Sequence, residues 1–179
     1  MSLKKIVVNG PESTGKSSLC EALAAYFHTA WVPEYAREYL LKNGREYRLE
    51  DLSRIARGQV ALEDRLAAEA AAGGKELLFI DTDLYVIKVW SEFVFDRCDP
   101  WILDQIAFRR YDAYLLCRPD LPWVKDELRE YPDLETRERL FRIYRETLVQ
   151  QATPWMEIGG EDEARVAAAI AAVEKLSRV

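Results

Sequence analysis

Short apolar runs alternate along this chain with longer stretches of helical periodicity. The apolar runs fall at 5–9, 30–32, 77–80, 113–117 and 155–158, and each reads as a strand. Between them, 16–27, 35–41, 51–72, 84–95, 101–110 and 136–151 read as helices, the last of these amphipathic. An alanine-rich terminal helix is predicted over 162–177. Local stops support these bounds: Pro33 closes the second strand, Asn43-Gly44 ends the short helix, and Gly73-Gly74 ends the long one, with Asp51 as its candidate N-cap. Segment 119–133 is rich in proline and charge and reads as a loop or lid. Strands alternating with helices predict an α/β fold around a parallel sheet. No internal repeat is visible, and the expectation is a single domain over 1–179 with a lid at about 119–137.

The first strand runs into Gly10-Pro11-Glu12-Ser13-Thr14-Gly15-Lys16-Ser17, which matches G-x-x-x-x-G-K-[ST] at every fixed position. A strand before it and a helix after it, opening with Ser18, supply the context this motif needs. The glycines let the backbone curl round a phosphate, and successive N–H groups of Ser13 to Ser17 point at the anion. Lys16 then reaches the β- and γ-phosphates, and the Ser17 hydroxyl ligates Mg²⁺. The chain is thus expected to bind a nucleoside triphosphate, taken as ATP, with Mg²⁺.

Composition narrows the setting. With 179 residues, 49% hydrophobic and 31% charged, the chain is long enough for a real core and has the balance of a soluble globular protein. A net charge of −6 argues against general nucleic-acid binding, which wants a basic face. Cys20, Cys98 and Cys117 fit no metal motif and no disulfide framework, so they read as reduced thiols of a cytoplasmic protein. His28 is the single histidine, which removes His-based zinc sites and Ser-His-Asp triads. No apolar run approaches the length of a membrane span, and the N-terminus enters strand one directly, so neither a membrane helix nor a signal peptide is expected.

Ligands of parallel sheets gather at the carboxyl ends of strands, and two such ends carry acids beside the phosphate loop. After 77–80 comes Asp81-Thr82-Asp83. Asp81 is read either as the acid that holds Mg²⁺ or as a cap of the next helix. Asp83 is read either as that cap or as a group facing the acceptor. After the second strand, Glu34 is placed to accept a proton from an acceptor hydroxyl, to grip sugar hydroxyls, or to sit as a surface acid. Arg37, one turn on, either binds the acceptor or pairs with Glu34. Arginines cluster in and after the lid, and Arg129 and Arg137 are the candidates for neutralising charge on a phosphoryl group in flight. Tyr35, Tyr39 and Tyr85 neighbour the acidic stations, where an aromatic face can stack a flat or cationic ring.

Four segments taken together, the phosphate loop, Pro33-Glu34-Tyr35-Ala36-Arg37-Glu38-Tyr39, Phe79-Ile80-Asp81-Thr82-Asp83, and Pro122-Trp123-Val124-Lys125-Asp126-Glu127-Leu128-Arg129, resemble the ribosylnicotinamide kinase domain of NadR-type proteins. The resemblance covers nearly the whole chain. These are P-loop kinases related to nucleoside and nucleoside-monophosphate kinases and grouped with an AAA-type ATPase family. It implies a P-loop NTPase three-layer sandwich, with a five-stranded parallel sheet between helices and a mobile lid. It also implies ATP- and Mg²⁺-dependent phosphorylation of nicotinamide riboside to nicotinamide mononucleotide. Two departures stand out. Glu127 occupies a lid position where the family often has glycine, and the adenylyltransferase and DNA-binding domains common in the family are not expected here.

Two alternatives share the phosphate-handling residues: a kinase for another nucleoside or small metabolite, and a regulatory ATPase module signalling through its lid. In the kinase reading, transfer is direct and in line. Ser17 and Asp81 place Mg²⁺, Glu34 or Asp83 orients the acceptor, and Arg129 and Arg137 act as the lid closes. The partners expected are a nucleotide and a small-molecule acceptor, with no nucleic acid and no membrane. The oligomeric state is left open.

Overall fold

The computed structural model describes residues 2–176. Strands β1 (Lys4–Asn9), β2 (Ala30–Val32), β3 (Leu77–Asp81), β4 (Ala113–Cys117) and β5 (Trp155–Ile158) form one sheet in the order β2-β3-β1-β4-β5. Every pairing is parallel. The helices are α1 (Lys16–Tyr26), α2 (Tyr35–Asn43), α3 (Leu49–Ala72), α4 (Leu84–Phe95), α5 (Pro100–Phe108), α6 (Leu134–Val149) and α7 (Asp162–Leu176).

Alternation along the strands sorts the core into two layers. Ile6, Val8, Phe79, Ala113, Leu115 and Cys117 face α1 and α7 and pack on Leu19, Leu23, Ala169 and Val173. Val7, Leu78, Ile80, Tyr114 and Leu116 face the other way, against Val86 and Val89 of α4 and Leu140, Tyr144 and Leu148 of α6. A third cluster joins α2, α3, α4 and α5 around Leu40, Leu52, Ile55, Ile87 and Ile102. Strands buried on both faces must be apolar throughout, which is why the sequence showed unbroken runs here.

The predicted elements are all present, with adjusted ends. The long helix starts at Leu49, so Asp51 sits inside its first turn and accepts the Arg48 N–H at 2.9 Å rather than standing at the N-cap. Asp99 caps α5 from just before Pro100, and the helix stops at Phe108 because Arg109 takes an extended backbone. Asp133 caps α6 through the Thr136 N–H at 2.7 Å, so 134–137, assigned in sequence to the lid, begin that helix. The predicted end of the last helix, at 177, lies outside the described residues. Among the described residues no helix is long and apolar enough to cross a membrane, and the three cysteines are free thiols.

Candidate active site at the carboxyl edge of the sheet

Central strand β1 ends at Asn9, and the next six residues turn the chain back into α1. Gly10 has φ 143°, and a Cβ there would stand 2.7 Å from the Cys117 carbonyl of β4, so no larger residue fits. Ser13 and Gly15 take left-handed backbone, φ 56° and 74°, curling the loop into a nest of inward N–H groups. Two donors converge on the Pro11 carbonyl from inside, Thr14 Oγ1 and Lys16 Nζ, each at 2.8 Å. Buried Arg165 of α7 holds the loop from behind, donating to the carbonyls of Thr14 at 2.9 Å and Arg118 at 3.0 Å and to Asp120 at 2.7 Å.

Ser17 Oγ donates to Asp81 Oδ2 at 2.5 Å. Burial pushes the Asp81 carboxyl up, while Lys16 and the hydroxyls of Ser17 and Thr82 oppose the rise. One hydroxyl and one carboxylate is a donor set suited to Mg²⁺. That ion keeps waters and phosphate oxygens and takes only one or two protein oxygens.

Thr82 has φ 73°, a strained value for a β-branched residue, and it sends its neighbours to different places. Asp81 lines the cavity. Asp83 turns inward, caps α4 through the Tyr85 N–H at 3.0 Å, and accepts from Asn9 Nδ2 at 3.1 Å and the Tyr114 hydroxyl at 3.0 Å. Burial pushes the Asp83 carboxyl up to about 6 against those hydrogen bonds. Of the two roles open to Asp83 in the sequence, the structure shows the cap.

A cavity of about 540 Å³ runs from the phosphate loop to the first residues of α2 and is roofed by the lid. Glu34 lies on its wall, in contact with cavity solvent but closely surrounded by protein. Burial pushes its carboxyl up to about 7, the Asp81 carboxylate adds to the rise, and Lys16 and Arg37 oppose it. Trp31, Trp90, Phe93, Tyr131 and Tyr144 line the same cavity. The lid is fastened on two sides. Glu12 of the phosphate loop accepts from Trp123 Nε1 at 3.2 Å and from the backbone N–H groups of Glu130 and Tyr131 at 2.9 and 2.7 Å. Across the cavity, Arg37 forks onto Asp126 at 2.9 and 3.2 Å, Arg45 meets Glu127 at 2.6 Å, and the Tyr47 hydroxyl meets Glu130 at 3.0 Å.

Of the residues singled out in sequence, Gly10, Glu12 to Ser18, Glu34, Arg37, Asp81 and Arg129 share this cavity wall. The others lie outside it. The Tyr35 ring packs on Gly58, and the Tyr39 hydroxyl donates to Asp51 at 2.7 Å. Asp83 and Tyr85 border a small separate recess. Arg137 is buried and donates to the Leu121 carbonyl at 3.3 Å, holding the near end of the lid. Arg37 pairs with the lid rather than with Glu34. Arg45, Tyr47 and Tyr144 were not anticipated, since their place on the wall depends on contacts between distant segments.

The chain matches the AAA domain family AAA_28 over residues 5–165. It belongs to that family. It is also homologous to the trifunctional NAD biosynthesis/regulator protein NadR. It is 28% identical to the Escherichia coli (strain K12) protein over 164 residues, 89% of this chain and 39% of the relative. It is 31% identical to the Salmonella typhimurium (strain LT2) protein over 131 residues, 71% of this chain and 31% of the relative. The chain thus spans well under half the length of these relatives. Among solved structures, a NadR protein in complex with NR superposes with a TM-score of 0.82 at 25% identity over 99% of this chain and 50% of that one. A NadR protein in complex with NAD and AMP-PNP superposes at 0.77 and 26%, with the same coverage. A thymidylate kinase from Ehrlichia chaffeensis, 12% identical, shares the fold at a TM-score of 0.68. This AAA-family chain therefore has an α/β P-loop kinase fold of the nucleoside-kinase type.

Proposed function

We propose that the chain transfers the γ-phosphoryl group of ATP to a hydroxyl of a nucleoside-like acceptor, and that this acceptor is nicotinamide riboside, giving nicotinamide mononucleotide. The observation that carries the proposal is the single cavity joining the phosphate loop to a wall of carboxylate and aromatic side chains. The homology to NadR, and the superposition on a NadR chain that holds NR, support the choice of acceptor. So does the chemistry of the wall, because a cationic pyridinium ring is favoured by π faces and carboxylates.

In this mechanism the N–H groups of 13–17 and the Lys16 ammonium bind the donor phosphates. Ser17 and Asp81 would hold Mg²⁺, which when bound neutralises charge on the phosphate oxygens. Glu34 accepts the proton of the attacking hydroxyl as the new O–P bond forms and the bond to the departing ADP oxygen breaks. A pKa near 7 suits that task, since near neutral pH part of the population is ionised and the carboxylate is more basic than an ordinary one. Arg129, tied to the Val124 carbonyl within the lid, adds positive charge on the roof. Closure of the roof by Glu12 and Arg37 excludes water and limits hydrolysis.

The test is a transfer assay with Mg·ATP and nicotinamide riboside beside a panel of ordinary nucleosides, read by mass spectrometry. Product from nicotinamide riboside is expected. Product from another nucleoside alone would keep the kinase and replace the acceptor. ATP hydrolysis faster than any transfer would favour a regulatory ATPase.

A further inference from the structure

Glu34 is the N-cap residue of α2, yet its side chain makes no cap hydrogen bond. Among the described residues none donates to its carboxylate, so the position of that group is set by the backbone of its own turn. This leaves two requirements. The turn must be rigid, and the N–H groups opening α2 need acceptors, because the first turn of a helix has no internal partners for them.

The first is met from α3, and so is the second for the Tyr35 N–H. Gln59, 1% exposed in the middle of that helix, accepts the Tyr35 N–H on Oε1 at 2.7 Å and donates from Nε2 to the Pro33 carbonyl at 3.4 Å. One side-chain amide thus grips the residues on either side of Glu34. Beside it, Gly58 makes room for the Tyr35 ring, since a Cβ there would lie 2.0 Å from Tyr35 Cε1. A glycine inside a helix is less favourable than alanine, and the ring contact is what it admits here. A buried amide whose donor and acceptor both serve one turn is a clamp rather than core filling.

We propose that Gln59, with Gly58 beside it admitting the Tyr35 ring, is a positioning residue of the acceptor site, fixing the Pro33–Glu34–Tyr35 turn so that Glu34 projects into the cavity instead of folding back onto α2. The proposal rests on Glu34 receiving the acceptor proton. Gln59 does not line the cavity, and its effect passes through Glu34.

The experiment is a double-mutant cycle on the full chain, with Gln59→Met, Glu34→Gln and the pair, using Mg·ATP and nicotinamide riboside. Methionine keeps the length and burial of glutamine but makes neither hydrogen bond. The expected result is a kcat lowered roughly 10- to 100-fold by Gln59→Met, the scale of a misplaced catalytic group, with KM for ATP changed less than twofold. Glu34→Gln and the double variant should then share one kcat, because a clamp acting only through Glu34 has nothing left to position. Should Gln59→Met fail to show an ATP-dependent rise in melting temperature, Gln59→Glu, which retains the acceptor for the Tyr35 N–H, takes its place in the cycle. A Gln59 variant with parental kcat, or a double variant losing the product of the two single losses, overturns the clamp while leaving the base assignment intact. A Glu34→Gln variant with parental kcat overturns the base assignment, and the clamp with it.

Discussion

The two sides of the cavity are built from different material. The phosphate loop, 10–18, is shaped by its own backbone: left-handed residues, a glycine pressed against β4, and a carbonyl gathering nearby donors. The lid, 118–133, has no regular element, and its wall contacts come from side chains far away in sequence. Glu12, Arg37, Arg45 and Tyr47 hold it across separations of 82 to 119 residues. A backbone-built surface depends on a few obligatory residues and fails completely when one is lost. A side-chain-built surface spreads its stabilisation and fails by degrees.

The largest effect should come from the backbone-built side. Lys16→Ala removes the one ammonium within the loop, and transfer should fall by about 10³-fold or more, the scale seen when a charge-stabilising donor is deleted. Circular dichroism should show an unchanged fold, since Lys16 bonds only a local carbonyl. A Lys16→Ala variant within tenfold of the parent would break the distinction between the two sides.

Glu34→Gln stands next, with kcat expected to fall 10²- to 10⁴-fold, the usual worth of a general base, while affinity for an ATP analogue stays within twofold. The parent's pH profile is a second readout. A carboxyl raised to about 7 is charged only above that pH, so kcat/KM, which reports the free enzyme, should fall tenfold per unit below it. Stability moves the opposite way. Because folding raises this pKa from 4.5, the folded chain binds more protons between 4.5 and 7, so stability declines as pH rises through that window and stays lower above it. Removing the charge with glutamine should therefore raise stability at pH 8 by at most about 3–4 kcal/mol, at about 1.4 kcal/mol per pKa unit, seen as a higher melting temperature, and the gain should shrink toward pH 5. An equally stable, equally active variant at pH 8 would refute the assignment.

The same division explains what the sequence reveals. Strand–loop–helix at 5–27 is contiguous, so the apolar run, glycine spacing and Lys16-Ser17 together announce both fold and chemistry. Asp81 is legible because it ends an apolar strand. Asp83 was ambiguous because its destination depends on the φ of Thr82, which no residue pattern announces. Arg37 read as an acceptor-binding group or as a partner of Glu34, one turn away. Its real partner, Asp126, is 89 residues off and comes into reach only when the lid folds over. Gln59 and Gly58 look like ordinary helix positions until α2 is packed on α3. Long-range side-chain pairing was the part missing from the linear text.

On the lid side, Glu12→Gln should have an intermediate effect. Its carboxylate accepts three N–H donors with both oxygens, and glutamine offers one acceptor oxygen and a competing donor. Hydrogen bonds to a charged group contribute about 1.5–3 kcal/mol each, so loss of one predicts a drop of roughly 10- to 100-fold in kcat/KM for transfer. ATP hydrolysis without acceptor should rise relative to transfer as the roof loosens. A variant with unchanged partition between hydrolysis and transfer would show that Glu12 does not control closure.

Glu127→Gly, which installs the residue the NadR-type lid often carries, should matter least. Its partner Arg45 is 2.6 Å away, but the two side chains are 63% and 47% exposed, and exposed pairs contribute only about 0–1 kcal/mol. The neighbouring Arg37–Asp126 fork is better shielded, and the Arg37 guanidinium holds the Asp126 carboxyl below the usual carboxylate range. The lid should therefore stay seated without Glu127, with KM for the acceptor changing less than twofold. Even that difference should vanish at high salt, where exposed charges are screened. A large change persisting in salt would mean that Glu127 acts on the reacting phosphates and not on Arg45, and that the acid added at this position alters the chemistry and not only the hinge.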